Sequence, residues 1–146
     1  MASKTESLEM LIWQIRRVFH LLASRSGELL KDMNINPSQR AVLEFLTKEE
    51  KQTVPAIARQ YDVSRQHIQQ IVNELLEKGL VETTYNPAHK RSVFLQLTRA
   101  GRAVFETIQH REAQLLAQIS RHFSLKDMQT VQGTLTRLSE LLRPQN

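Results

Sequence analysis

The stretch S-R-Q-H-I-Q-Q-I-V-N-E-L-L-E-K-G, Ser64–Gly79, restricts the fold more than any other. Ser64 suits an N-cap, where its hydroxyl accepts from a free N–H of the first turn. Gly79 suits the end, because glycine enters the left-handed region at little cost. Between them Ile68, Ile71, Val72, Leu75 and Leu76 recur at helical spacing and form one apolar stripe. The opposite face carries Gln66, Gln70 and Asn73, with His67 and Gln69 on its flanks and Arg65 in the first turn. An ordinary exposed face mixes Glu and Lys. This one is rich in amides, and its acids, Glu74 and Glu77, come only in the second half. An amide couples a donor to an acceptor, the combination that reads a base edge. An acid-free start suits entry into a phosphate-lined groove by the N-terminal end. A plain solvated face has the same composition, and the flanking segments separate the two readings.

Upstream, Asn36-Pro37 opens a helix whose inward side is Ala41, Val42, Phe45 and Leu46. Lys48–Gln52 reads as a charged loop. Thr53 caps a short helix to about Tyr61, with Ile57 and Ala58 facing inward and Pro55 tolerated in the first turn. Tyr61-Asp62-Val63 makes a tight turn. A short helix, a brief turn and a longer helix with an amide face form a helix-turn-helix pattern. Downstream the period changes. Leu80–Tyr85 reads as a strand, Asn86–Arg91 as a loop, and Val93, Leu95 and Leu97 alternate with Phe94 and Gln96 as a second strand. His89, Lys90 and Arg91 make the hairpin tip basic. Beside a helix-turn-helix, such a tip is placed to meet phosphates or the minor groove.

Outside this middle, residues before about Ser7 read as a tail. Leu8, Leu11, Ile12, Ile15, Val18, Phe19 and Leu22 give an amphipathic helix from Ser7 to about Leu30. Thr98 opens a long helix to about His122, with Phe105, Ile108, Leu115, Leu116 and Ile119 as its stripe. Ser124–Asp127 resembles a capping box and opens a last helix with the stripe Met128, Val131, Leu135, Leu138 and Leu142. The compact middle needs little of these faces. A two-fold subunit interface is their simplest use, with Leu11, Ile12, Ile15, Leu135, Leu138 and Leu142 as contacts; packing within one monomer is the alternative. The expected architecture is mainly α (α+β): a winged helix-turn-helix with a two-stranded β-wing, flanked by dimerisation helices. It reads as one domain over 1–146, with a DNA-binding lobe at 36–98 and dimerisation helices at 7–30 and 99–142.

The function classes narrow with composition. The 146 residues carry a net charge of +5 and a pI near 9.9, which favours an anionic partner, nucleic acid or membrane. The helix at Leu8–Leu22 has too few cations for a membrane-surface helix. There is no Cys, which removes disulfides and thiolate chemistry. No signal pattern or membrane-length apolar run is visible, so the expected place is the cytoplasm. His20, His67, His89, His110 and His122 show no ligand spacing, and no nucleophile elbow, phosphate loop or carboxylate pair occurs. The chain is expected to be no enzyme and to need no metal or cofactor, a metal site assembled across a dimer from histidines and acids being the alternative.

Val63-Ser64-Arg65-Gln66, Leu75 with Lys78-Gly79-Leu80-Val81, Asn86-Pro87, Arg91 and Leu95-Gln96-Leu97-Thr98-Arg99-Ala100-Gly101 occur in an order and spacing that resembles the MarR family (multiple-antibiotic-resistance regulators). The resemblance covers nearly the whole chain. It implies a homodimeric winged-helix regulator on a pseudo-palindromic duplex, and a small aromatic or lipophilic effector between the dimerisation helices and the DNA-binding lobe. Carried over by position, Arg65, Gln66, Gln69, Gln70 and Asn73 face the major groove and Arg91 is the wing contact, with Ser64, His89 and Lys90 beside them. Trp13 and His20 lie on the helix that would border the effector crevice. The family's wing commonly reads Asp-x-Arg, and His89 stands where that Asp would be. The leading expectation is a ligand-released repressor. The alternative is a winged-helix protein-interaction or architectural module without base readout.

Overall fold

The computed structural model describes residues 1–89 and 91–145. Its elements are α1 (Lys4–Leu30), a 3-10 turn (Lys31–Met33), α2 (Pro37–Glu49), α3 (Val54–Tyr61), α4 (Arg65–Glu77), β1 (Val81–Thr84), β2 (Phe94–Leu97), α5 (Arg99–Ser120) and α6 (Leu125–Leu142). The chain divides into two compact units, Met1–Gln109 and His110–Asn146. No helix among the described residues is long and apolar enough to cross a membrane.

Side-chain caps set most of the helix starts. Asn36 Oδ1 accepts from Gln39 N–H at 2.8 Å, and Gln39 Oε1 accepts in return from Asn36 N–H at 3.2 Å. Thr53 and Ser64 cap α3 and α4 by accepting from Ala56 N–H (3.3 Å) and His67 N–H (3.1 Å). Asp62 takes the left-handed conformation at φ 52° in the turn between them, and Gly79 does so after α4 at φ 70°. The start of α1 differs from the sequence expectation. Residues before Ser7 are not a tail, because Ser3 Oγ accepts from Glu6 N–H (3.1 Å) and Glu6 Oε2 accepts from Ser3 N–H (2.7 Å). A complete capping box begins the helix at Lys4.

The core of the first unit lies between α2, α3, α4, the hairpin and the start of α5. Leu43, Leu46, Ile57, Val72, Leu75 and Ile108 have no exposed surface. Burying one such side chain contributes roughly 1.5–3 kcal/mol. On α2 the inward side centres on Val42, Leu43 and Leu46; Ala41 and Phe45 are only half-buried. On α4 Ile68, Ile71, Val72 and Leu75 are buried as the stripe requires, with Leu76 half-buried at its edge.

The hairpin is antiparallel, with Val81 opposite Leu97 and Thr84 opposite Phe94. Two expectations are corrected here. Lys48–Gln52 is not all loop: α2 runs to Glu49, and Gln52 exchanges backbone hydrogen bonds with Leu95 at 3.1 and 2.8 Å. Gln52 thus adds a one-residue third strand to the wing, an addition that needs no apolar alternation. Val93 is exposed and lies outside β2, so the buried row is Leu95 and Leu97 alone.

Within the same unit α1 keeps Leu11, Ile12 and Ile15 half-buried and leaves Leu8, Val18, Phe19 and Leu22 exposed. In the second unit Ser124 Oγ accepts from Asp127 N–H at 3.1 Å and starts α6. No α6 side chain is buried: Met128 and Leu138 are half-buried, and Val131, Leu135 and Leu142 are exposed.

Candidate nucleic-acid interface

Helix α4 is held by its apolar stripe, so its amide face is turned outward. Gln66, Gln69, Gln70 and Asn73 are all exposed. The N-terminal end of α4, the outer side of α3 and the wing loop enclose a groove of about 690 Å3. Arg65, Gln66 and Gln69 enter it from α4, Arg59 from α3, and His89 and Arg91 from the wing loop. No Asp or Glu among the described residues lines it. Among the described residues Arg59, Arg65 and Arg91 have no carboxylate partner. Three unpaired guanidiniums without a counter-charge make a strongly anion-attracting concavity, and guanidinium suits phosphate geometry well.

The wing loop is fixed from within. Asn86, 6% exposed, accepts from Ala88 N–H through Oδ1 at 3.0 Å and from His89 N–H through its backbone oxygen at 3.3 Å. Pro87 occupies the second turn position, where its fixed φ belongs. Ser92 N–H then donates to the His89 carbonyl at 3.2 Å. The turn therefore hangs on Asn86, and the side chain at His89 is left on the groove wall. Lys90 lies outside the described residues.

The other expected site residues divide. Ser64 is occupied as the cap, and Gln70 and Asn73 lie beyond the groove lining. Gln69 Nε2 donates to Asn73 Oδ1 at 2.9 Å, one turn along α4. Trp13 and His20 stand exposed on α1, away from the groove lining; Arg17 stacks over the Trp13 ring at 5.6 Å, and His20 meets the edge of Phe19 at 5.7 Å.

Two features were not read from the sequence. Arg59 is one; its position just before the turn was a usable signal. The other is a polar knot behind α4. Gln39, 3% exposed, donates to Glu74 Oε2 at 2.6 Å and accepts from Lys78 Nζ at 2.9 Å. The same Lys78 ammonium donates to the Asn34 carbonyl. The first acid of α4 thus faces α2 and is partnered there. Beside it, Tyr61 Oη donates to the Ala41 carbonyl at 2.8 Å, and its ring meets Phe45 edge-on. Burial and the nearby Glu44 carboxylate push the Tyr61 hydroxyl above the usual tyrosine value. These contacts hold α3 on α2 and so set the groove's outer wall.

A helix-turn-helix, a hairpin wing and an acid-free basic groove between them define a winged-helix protein of the DNA-binding type. A profile of the MarR family matches residues 33–92. A crystal structure of a MarR family transcription regulator is 30% identical, covers 95% of this chain and 94% of its own, and superposes with a TM-score of 0.84. A cysteine-to-serine mutant of MarR from E. coli, complexed with operator DNA, is 22% identical, covers 95% and 99%, and has a TM-score of 0.81, which speaks for the fold. The uncharacterized protein Rv2011c of Mycobacterium tuberculosis is 31% identical over 128 residues, 86% of this chain and 90% of that one. The chain belongs to the MarR family, whose members are transcription regulators and not enzymes.

Proposed function

We propose that the chain is a sequence-specific reader of double-stranded DNA that acts as a homodimeric repressor and is released by a small molecule. The observation that carries the reading is the groove, in which, among the described residues, three arginines without a carboxylate partner and two glutamines face one concavity with no acid. Arginines supply affinity through phosphates, and the glutamines of α4 supply base choice. Operator DNA bound to the E. coli MarR mutant of the same fold supports duplex DNA as the ligand. The dimer is supported by the apolar side chains that α1 and α6 each leave uncovered, Leu8 and Leu22 on one and Leu135 and Leu142 on the other. A two-fold dimer would set two reading helices on half-sites about one helical turn apart. An effector would act by favouring a dimer whose reading helices are wrongly spaced.

The test is selection of bound duplexes from a random pool at fixed moderate salt. An enriched inverted repeat supports the reading. Binding without enrichment would favour an architectural role, and no binding would favour a protein-interaction module. Release is tested on the selected duplex: an aromatic acid such as benzoate should lower its affinity and alter the fluorescence of Trp13, the one tryptophan.

A further inference from the structure

Gln69 and Asn73 are not two equivalent amides. Gln69 lines the groove, whereas Asn73 lies one turn further along α4 and outside the lining. They are joined, Gln69 Nε2 donating to Asn73 Oδ1 at 2.9 Å. We propose that the two act as one reader, in which Gln69 meets an adenine edge and Asn73 is a positioning residue that fixes the Gln69 amide. The inference rests on the DNA-reading function above and deepens it.

The chemistry follows from atoms. A glutamine amide has two N–H groups and a carbonyl oxygen. With one N–H given to Asn73, Gln69 keeps one N–H and its oxygen, side by side. That donor–acceptor pair matches N7 and the N6 amino group of adenine. The reverse arrangement, with Gln69 Oε1 accepting from Asn73, would turn that oxygen toward Asn73 and present chiefly the two N–H donors, which match the N7 and O6 acceptors of guanine. The partner therefore chooses the base. It also limits the rotamers of a long, exposed side chain before DNA arrives, which reduces the ordering cost on binding.

The experiment is duplex selection followed by affinity measurement on the selected site, with wild type, Gln69→Ala, Asn73→Ala, Asn73→Asp and the double alanine variant. Both positions are exposed, and unchanged melting temperatures would confirm intact folds. Wild type should require adenine at one half-site position. Gln69→Ala should lose between about 5-fold and about 150-fold of that discrimination, the range of one bidentate amide contact. Asn73→Ala should lose part of it at the same position, and the double variant should match Gln69→Ala. Asn73→Asp keeps the acceptor, so the adenine preference should survive while affinity falls on all sequences through phosphate repulsion. Relaxation at a different position in Asn73→Ala, additive losses, or a guanine preference in wild type would overturn the coupled reader with DNA reading intact. A wild type that enriches no site would overturn the DNA reading itself.

Discussion

A Cβ placed on Gly101 would lie 2.0 Å from the backbone oxygen of Leu80. The third residue of α5 is therefore pressed against the chain just after α4. The same Leu80 oxygen accepts from Thr98 N–H at 3.1 Å, and Thr98 Oγ1 donates to the Gly79 oxygen at 2.7 Å while accepting from Gly101 N–H at 3.0 Å. Within the first unit this contact fixes the end of the reading helix and the start of the wing against α5.

Replacing a helical glycine by alanine ordinarily stabilises by roughly 0.5–1 kcal/mol. Gly101→Ala should do the opposite and cost on the order of 1–3 kcal/mol, because a backbone oxygen cannot step aside. Gly27→Ala in α1, where nothing lies within 4 Å of the added carbon, should show the ordinary gain. Urea midpoints of the two variants decide the matter. A Gly101→Ala protein as stable as wild type would show that α5 can slide away from Leu80.

The knot around Gln39 gives a second stability test. Its amide is shared by Asn36 N–H, Glu74 and Lys78. Gln39→Ala leaves the Glu74 carboxylate without its buried donor, at a cost of about 1–3 kcal/mol. Glu74→Gln keeps a hydrogen-bonding group in place and should cost less. Equal losses in the two variants, measured by urea unfolding, would show that the knot depends on the charge of Glu74 and not on a hydrogen-bonding group as such.

Local signals carried much of the fold. The caps at Asn36, Thr53, Ser64 and Ser124, the glycine at position 79 and the stripe of α4 are all short-range patterns, and each stands in the structure as the sequence requires. What escaped is long-range. Gln52 pairs with Leu95 across 43 positions of sequence (95 minus 52), and no periodicity announces a one-residue strand. Glu74 reads as a surface acid until α2 is folded beside it. Asn86 reads as a turn residue, yet its burial shows it to be the fastening of the wing loop. The candidate site was legible on α4 as an exposed amide face, because one helix supplies the pattern. Arg59 needed the fold, because the groove exists only once α3 and the wing face each other.

Acid should weaken the fold through Glu44 of α2. Burial by itself would raise this carboxyl, but the Arg40 hydrogen bond at 2.7 Å and the charges of Arg40 and Lys48 hold it below the usual carboxylate value. The folded state thus releases this proton more readily than the unfolded chain. Its stabilisation is fully present above the unfolded-state pKa of about 4.3 and is lost as pH falls through the lower folded-state value. Wild-type stability should fall between about pH 5 and pH 3, and Glu44→Gln should be less stable at pH 6 with a flatter fall. A Glu44→Gln curve parallel to wild type would remove Glu44 from the acid response.

Arg59 tests whether the groove binds backbone or bases. It sits on α3, facing the wing across the groove from His89 and Arg91, and among the described residues no carboxylate neutralises it. A guanidinium in that place, off the reading helix, suits a phosphate oxygen. Each phosphate contact contributes about 0.9 to the slope of log affinity against log salt. Arg59→Ala should therefore weaken binding to all duplexes alike and reduce the slope by about 1. Gln66→Ala, in the first turn of α4, should instead leave the slope unchanged and cost about 1–3 kcal/mol at a single base position. Titrations of selected and scrambled duplexes at several salt concentrations separate the two. If Arg59→Ala discriminated between the duplexes and left the slope intact, the arginine would be reading sequence, and specificity would be shared between α3 and α4.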